Sequence, residues 1–170
     1  MADLQEAMGG LSPPSIYAAF GSKEELFKEA VELYRSKVAA PTGRALVEAP
    51  TAKEAIEGML RGAVMAATEA GEPRGCLVVQ GAITCSPSSE AVQEYLQEVR
   101  AEGLRAVTKR LKAGVAAGDL PKKADVNALA IFYTTLAHGI AIQARDGASR
   151  GSLMSAVDRA MAAWDVLVRA

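Results

Sequence analysis

Hydroxyl-bearing residues cluster near the start of the chain, in the stretch SPPSIYAAFGSKEE at residues 12–25. A serine just before a helix accepts a hydrogen bond from a backbone N–H of the first turn, and Pro fits the first helical position. Ser12 before Pro13 has this pattern, and Ser22 repeats it with Glu25 three residues on, as in a capping box. Because a helix N-terminus attracts anions, these residues could contact phosphate groups.

Residues that could carry out catalysis are not grouped in this sequence. The chain has one His, no pair of carboxylates on one helical face in an apolar setting, no cluster with metal-ligand spacing and no Gly-rich phosphate loop. The sequence therefore predicts neither an enzyme nor a bound metal or cofactor.

The two cysteines, Cys76 and Cys85, lie nine residues apart in one predicted helix. That spacing puts them roughly half a turn out of phase and about 13 Å apart along the axis. A disulfide needs Cα atoms within about 7 Å, so a helix here excludes one. We expect both to be small buried apolar residues.

Length and composition set broad limits. The chain has 170 residues, half of them apolar and 5% aromatic, enough for one domain with a core or for a small module attached to a larger one. A net charge of −1 does not by itself indicate that the protein binds nucleic acid or an anionic membrane. No apolar run approaches the roughly 20 residues of a membrane span. The start of the chain lacks the pattern of a secretory signal, and the chain has two cysteines, so we expect the protein to be in the reducing cytoplasm.

Helical signals follow one another along the whole chain. Short helices are predicted over residues 2–8 and 13–20, separated by Gly9 and Gly10 and closed by Gly21. Longer helices with apolar stripes are predicted over residues 22–39, 51–70, 76–84, 88–117, 126–145 and 153–168. No strand pair or repeat is found, so the predicted fold class is all-α.

The first two helices have the layout of a helix-turn-helix, since they are short, joined by a tight Gly turn, and the second begins with small polar residues. In that motif the second helix projects its N-terminal end into the DNA major groove, where Ser and Pro keep the approach slim. We expect Ile16, Ala19 and Phe20 to face inward. Tyr17 is expected to face outward, with its hydroxyl near a phosphate.

The segment LSPPSIYAAFGSKEELFKEAVELY resembles the DNA-binding segment of the tetracycline-repressor (TetR) family of transcriptional regulators. The shared pattern is a Ser at the start of the recognition helix, Ser-x-Tyr within it, and Phe-x-Ser-Lys-Glu-x-Leu, here Ser12, Ser15, Tyr17, Phe20, Ser22, Lys23, Glu24 and Leu26. GCLVVQGA and ARDGAS are more weakly similar to regulatory-domain segments of some members. The resemblance implies an N-terminal helix-turn-helix DNA-binding domain over residues 1–40, connecting helix included, and a helical ligand-binding and dimerisation domain over residues 41–170.

The function implied by this resemblance is that of a ligand-responsive transcriptional regulator, a cytoplasmic homodimer that represses from a palindromic operator and is released by a small molecule. The DNA-facing positions would be Ser12, Pro14, Ser15 and Tyr17, with Lys23 on a phosphate. The recognition helix has no Arg, Asn or Gln for a bidentate base contact. Apolar contacts, water and DNA shape would then contribute to the readout.

One departure from the family pattern concerns DNA affinity. Family members begin with a further helix that packs behind the motif and often carries a basic arm, whereas Met1 falls inside what corresponds to the second family helix. Residues 1–40 hold four Lys or Arg and six Asp or Glu, a net charge of −2. We expect that an N-terminal segment is missing and that a chain beginning at Met1 binds DNA poorly.

The helix predicted over residues 126–145 is apolar on both sides, which indicates that both sides are covered, one by a core or pocket and one by a second subunit. The resemblance implies a ligand pocket lined by Met59, Ala63, Tyr95, Val99, Phe132, Leu136 and His138. Few of these are polar, so a largely apolar inducer is expected. Pairing of the last two helices with their copies predicts a dimer interface of Leu129, Tyr133, Ile140, Val157, Ala160, Met161 and Trp164.

Other interpretations stay open at this stage. Each pocket residue could be simple core, and His138 could be a buried residue bonded to a neighbour. The chain could also be a dimeric helical interaction protein of the same fold that has lost DNA binding, which the acidic N-terminal segment favours. Operator binding should weaken steeply with salt, and this property separates the two functions.

Overall fold

The computed structural model describes residues 2–38, 40–81 and 89–170, which are all-α, with no strand in these ranges. The helices are α1 (Ala2–Ala7), α2 (Pro13–Phe20), α3 (Lys23–Lys37), α4 (Ala40–Glu48), α5 (Ala52–Ala67), α6 (Leu77–Gln80), α7 (Glu90–Ala117), α8 (Val126–Arg145), α9 (Arg150–Ala162) and α10 (Trp164–Leu167). The predicted fold class is confirmed, and α2 and α8 have the predicted bounds.

Several helices begin at the capping residues that the sequence indicates. At the start of α5, Thr51 and Glu54 form a complete capping box, with Glu54 N donating to Thr51 Oγ1 at 3.2 Å and Thr51 N donating to Glu54 Oε2 at 3.1 Å. Ser22 accepts from Glu25 N at 3.1 Å, but the Glu25 carboxylate accepts from Lys28 Nζ at 2.8 Å. The serine half of the predicted box is therefore formed, while Glu25 is bound to Lys28.

Helix α4 is absent from the sequence prediction, in which the helix over residues 22–39 ends before Pro41 and no helix follows until residue 51. Pro41 instead lies in the first turn of α4, where a backbone N–H would have no intrahelical acceptor, so the missing N–H of proline costs no hydrogen bond. The last predicted helix is also divided into α9 and α10. Helix α9 starts before the predicted residue because Ser149 Oγ caps it, accepting from Ser152 N at 3.1 Å.

The helix predicted over residues 76–84 is described only as α6, and Cys85 lies outside the described residues. Cys76 is a free, half-buried thiol just before α6. The expected exclusion of a disulfide therefore stays a prediction.

Two hydrophobic clusters hold the helices together. The larger joins α5, α7, α8, α9 and α10 around residues such as Ile56, Leu60, Leu111 and Val157, all fully buried. The smaller joins α3, α6 and α7 through Val31, Val78, Leu96 and Val99. Because α7 belongs to both, it links the N-terminal helices to the rest of the fold.

By length and hydropathy alone, α8 could cross a membrane, contrary to the expectation that no apolar run comes near that length. Its residues Leu129, Ala130, Tyr133, Ile140 and Ala144, however, pack into the larger cluster with α5, α7 and α9. A core helix of a folded domain meets the same criteria of length and hydropathy.

Candidate functional site

The N-terminal end of α2 is exposed and built by a Ser cap. Ser12 Oγ accepts from Ser15 N at 3.3 Å and lies 2.9 Å from Ser15 Oγ, while Pro13 and Pro14 occupy the first helical positions. Helix α2 ends at Gly21, whose φ of 83° is one that glycine adopts readily. One buried side chain, Ile16, anchors the helix on its inner face.

The predicted DNA-facing residues lie together at this end of the molecule. Ser12, Pro14, Ser15 and Lys23 are exposed, while Tyr17 is half-buried. Two expectations for the inner face differ from the structure, because Ala19 is exposed and Phe20 is only half-buried. Ser22 caps α3 beside Lys23, so two helix N-termini and one cation belong to the same short segment.

A cavity of about 500 Å³ lies among the helices that follow the helix-turn-helix. Its walls come from the end of α3, from α4, α5, α6, α7 and α8, and most of the lining side chains are apolar. The polar residues on the lining are Tyr34, Arg35, Thr42, Cys76, Arg100, Glu102, Thr134 and His138. The cavity volume falls in the range typical of small-molecule sites.

Four of the seven predicted pocket residues, Met59, Ala63, Val99 and His138, line the cavity. The other three do not. Tyr95 turns toward α3, where its hydroxyl donates to Glu32 Oε1 at 2.5 Å. Phe132 is 44% exposed on the outer face of α8, and Leu136 packs against the larger core cluster. The prediction that these three residues line the cavity is therefore wrong.

Polar residues that the sequence reasoning missed occupy the wall toward α7 and α8. Thr134 lies one helical turn before the predicted His138 and shares its face of α8, while Arg100 follows the predicted Val99 on α7. Burial, and then the nearby charge of Arg100, lowers the pKa of His138 below its ordinary value. His138 is thereby kept neutral near neutral pH.

The wall toward α3 connects the cavity to the helix-turn-helix. Arg35 donates to Glu102 of α7 at 2.6 Å and to Glu32 of α3 at 2.8 Å. Hydrogen bonds from Tyr95 and Arg35 lower the pKa of Glu32, while burial and the bond to Glu32 raise the pKa of Tyr95 to about 12. These four side chains join α3 to α7.

Tyr34 forms the neighbouring connection between α3 and the start of α6. Burial first, and then the thiol of Cys76, raise the pKa of the Tyr34 phenol. Tyr34 and Cys76 both line the cavity. A shift of either wall of the cavity would therefore change the contacts that hold α3 in place.

The predicted dimer residues are mostly buried inside the single chain. Leu129, Tyr133, Ile140, Val157, Met161 and Trp164 belong to the larger core cluster, and Ala160 packs against it half-buried. Side chains that a subunit already covers cannot form its outer contact surface, so this prediction is corrected. The ring centroids of Tyr133 and Trp164 lie 5.5 Å apart within the core.

The opposite face of α8 carries the exposed apolar side chains. Ile131 is 57% exposed and Ile142 is 39% exposed, and with Thr135 and Gly139 they follow one line along the helix. A Cβ built at Gly139 would meet no atom within 4 Å, so another helix could approach closely there. The exposed apolar side of α8 is therefore the side opposite to the predicted dimer residues, and its cover by a second subunit stays a prediction.

Comparison with known proteins adds family relationships to this geometry. Residues 52–164 match the family model described as tetracyclin repressor-like, C-terminal domain. The chain is 30% identical over 170 residues to the HTH-type transcriptional repressor ComR of Escherichia coli (strain K12), covering 99% of this chain and 80% of ComR.

Solved structures give the same relationship. A cysteine mutant of the TetR family transcriptional regulator CifR, complexed with a 26-bp double-strand operator DNA, matches with a TM-score of 0.91 and 43% identity over 96% of this chain and 85% of that one. A second CifR cysteine mutant with the same length of operator matches with a TM-score of 0.90 and 42% identity, over 95% of this chain and 84% of that one. The chain belongs to the tetracycline-repressor family of transcriptional regulators and not to a class of enzymes.

Proposed function

We propose that the protein is a homodimeric repressor that binds a palindromic operator through α2 and is released when a small, largely apolar molecule enters the cavity. One observation carries the proposal: the helix that follows α2 directly, α3, forms part of the cavity wall through Tyr34 and Arg35. A ligand in the cavity therefore contacts the helix that sets the position of α2.

The DNA contacts are assigned to the exposed N-terminal end of α2 and the start of α3. Ser12, Pro14, Ser15 and Tyr17 face the major groove, and Lys23 binds a phosphate beside the Ser22-capped N-terminus of α3. The operator complexes of CifR support this assignment, since 96% of this chain matches 85% of the CifR chain with a TM-score of 0.91. The small side chains favour readout through thymine methyl groups, water and DNA shape.

The dimer is assigned to the outer face of α8, where Ile131, Phe132 and Ile142 are exposed. A second copy of the chain is the occupant that fits best, because a two-fold axis along this face matches the two-fold symmetry of a palindromic operator. Val166 of α10 is another exposed apolar side chain, at 71% exposure.

The domain boundary that fits these roles lies near residue 40, with α1–α3 as the DNA-binding part and α4–α10 as the ligand-binding and dimerisation part. The match of the C-terminal family model to residues 52–164 supports this division. As a DNA-binding regulator, the protein would act in the cytoplasm.

Operator binding is tested by fluorescence anisotropy with DNA that flanks the protein's own gene, using protein expressed from the whole gene. We expect binding that is specific relative to a shuffled duplex of equal length and that weakens steeply between about 50 and 200 mM salt. Equal affinity for both duplexes, or none, would favour the dimeric interaction protein instead. The net charge of −2 in residues 1–40 is the observation that favours this alternative.

A further inference from the structure

The cavity wall contains a hydroxyl group that no side chain or backbone group satisfies. Thr134 Oγ1 is buried and has no hydrogen-bond partner among the described residues, and Thr134 lines the cavity. A buried hydroxyl without a partner is unfavourable, since it has lost its water and gained no bond in return. Oγ1 is covered within the wall, so a rotation of the Thr134 side chain about χ1 would turn the hydroxyl toward a ligand in the cavity and give it the partner that it lacks.

The same wall contains a positive charge that is not neutralised. Of the three charged residues on the lining, Arg35 pairs with Glu102 at 2.6 Å, which leaves Arg100. No carboxylate lies within ion-pair distance of Arg100 in residues 2–38, 40–81 and 89–170, and these ranges contain every Asp and Glu of the chain. The charged side chains of the lining therefore sum to +1.

The Arg100 side chain is held in place with donors to spare. It is half-buried, and Nη1 donates to the Val78 carbonyl oxygen at 2.9 Å. A guanidinium has five N–H donors, so one bond to a carbonyl fixes its position and leaves most of the group for another acceptor. Fixed, partly desolvated guanidinium groups bind carboxylates and similar anions strongly.

His138 is a third polar group at this wall. It lies four residues after Thr134 on the same face of α8 and lines the same cavity as Arg100. A neutral imidazole still donates one N–H. Arg100 and His138 thus add N–H donors to a mostly apolar cavity, and Thr134 adds a hydroxyl when its side chain rotates.

We infer that the inducer is an apolar acid, a molecule with one carboxylate or sulfonate group that pairs with Arg100 and accepts from Thr134 and His138. Its hydrophobic body lies against the side chains of α5 and α6, such as Met59, Ala63 and Val79. This inference rests on the proposed function, because it assigns a chemical class to the ligand of the same cavity. A neutral apolar ligand would leave both the Arg100 charge and the Thr134 hydroxyl unmatched.

The test uses two fluorescent probes that differ by one sulfonate group. Anilinonaphthalene sulfonate carries one anionic group, and N-phenylnaphthylamine is the same fused-ring amine without it. Fluorescence titration gives Kd for each probe with the wild type and each variant. The measured quantity is the ratio of the two Kd values, because this ratio cancels effects on the apolar part of the site.

Arg100→Gln should weaken sulfonate binding by about tenfold or more and change amine binding by less than about twofold. Arg100→Lys keeps the charge and should retain most of the difference. Thr134→Val, which removes the hydroxyl at nearly constant shape, should weaken sulfonate binding by about threefold or more. Its matched control is Tyr133→Phe, which removes another unpartnered buried hydroxyl, in the core and outside the lining, and should leave both Kd values unchanged.

A cavity-filling variant separates this inference from the proposed function. Gly103 lines the cavity, and a Cβ built there meets no atom within 4 Å, so Gly103→Leu should fill the space and expel both probes. If Gly103→Leu expels both but Arg100→Gln affects them equally or not at all, the acid assignment is overturned and the ligand cavity stands. If neither probe binds the wild type, or both bind Gly103→Leu as well, the cavity assignment fails together with the inference.

Discussion

The guanidinium of Arg35 donates to the Glu102 carboxylate at 2.6 Å, and this bond joins α3 to α7 at the cavity wall. Arg35 also binds Glu32 within its own helix at 2.8 Å. The position of α3, and with it that of α2, therefore depends on a contact that a ligand in the cavity would reach. The cavity and the DNA-binding helix are coupled if this contact is formed in one arrangement of α3 and broken in another, and if ligand and DNA favour different arrangements.

The first prediction concerns this contact. Glu102→Gln should weaken operator binding about fivefold, because α3 is then held less firmly against α7 and must be ordered when DNA binds. The unfolding free energy should change by less than about 1 kcal/mol, since both partners are partly exposed. Anisotropy titration and urea denaturation measure the two quantities.

Glu98→Gln is the matched control for Glu102→Gln. It makes the same charge change on α7, but Glu98 pairs with Arg105 of its own helix at 2.6 Å and makes no bridge to α3. An equal loss of operator affinity in both variants would assign the effect to charge and refute the role of the bridge.

The second prediction concerns Lys23 at the start of α3. Lys23→Gln should reduce the slope of log affinity against log salt by about 2, because a dimer loses two phosphate contacts. Affinity should fall similarly for all operator variants, since a phosphate contact reads no base. Lys109→Gln removes an exposed charge from α7 and should leave the slope unchanged. A slope that Lys23→Gln leaves intact would place Lys23 outside the DNA interface.

The helix-turn-helix was predictable because its signals are local. Ser12, Pro13 and Gly21 fix the start and end of α2 through caps and backbone preference, and Asp125 likewise starts α8 at the predicted residue. None of these depends on a distant part of the chain. Pro41 misled the prediction because the same residue can end one helix or begin the next, and only the packing of α4 decides.

The inner and outer faces of α8 could not be assigned from sequence because both are apolar. Phe132 and Tyr133 are neighbours of similar size, yet Phe132 is 44% exposed and Tyr133 is fully buried beside Trp164. The direction of the inner face is set by residues far along the chain, in α5 and α9. Arg100 was missed for a related reason, since a charged residue on a long helix is predicted as exposed unless its surroundings are known.

The third prediction tests the outer face of α8 as the dimer interface. Ile142→Asp should shift the protein from dimer to monomer in sedimentation velocity, because it places a charge in an apolar contact. Its far-UV circular dichroism should stay unchanged, as Ile142 is outside the core. Val47→Asp alters an 84% exposed valine on α4 and should remain a dimer. A dimeric Ile142→Asp would refute the assignment.

The fourth prediction follows from the lowered pKa of His138. The folded state binds fewer protons at His138 than the unfolded state does between this lowered pKa and the ordinary value of 6.5. The contribution that His138 makes to the free energy of unfolding is therefore fully present above about pH 6.5 and is lost as the pH falls through that window. Burial is the main cause and Arg100 the second, while Arg35, Glu102, Tyr34 and Cys76 are the other titratable groups on the cavity wall.

His138→Gln isolates this effect, because the chain has no other His. Urea denaturation between about pH 7 and pH 5 should show the wild type losing stability relative to the variant. The difference between the two proteins should be constant above about pH 7. A difference that does not change with pH would contradict the lowered pKa.

The fifth prediction compares two glycines of α7. Gly114 is buried where α7 packs on the start of α5, and a Cβ there would clash with Leu120 Cδ1 and lie 2.7 Å from Ala52 Cβ. Gly114→Ala should destabilise the protein by about 1–3 kcal/mol, because the neighbours must move apart. Gly103→Ala, with open space at its Cβ, should instead stabilise it by about 0.5–1 kcal/mol through helix propensity. A rise of the urea midpoint in both variants would show that propensity, not packing, governs both positions, and a fall in both would refute the stabilisation expected at Gly103.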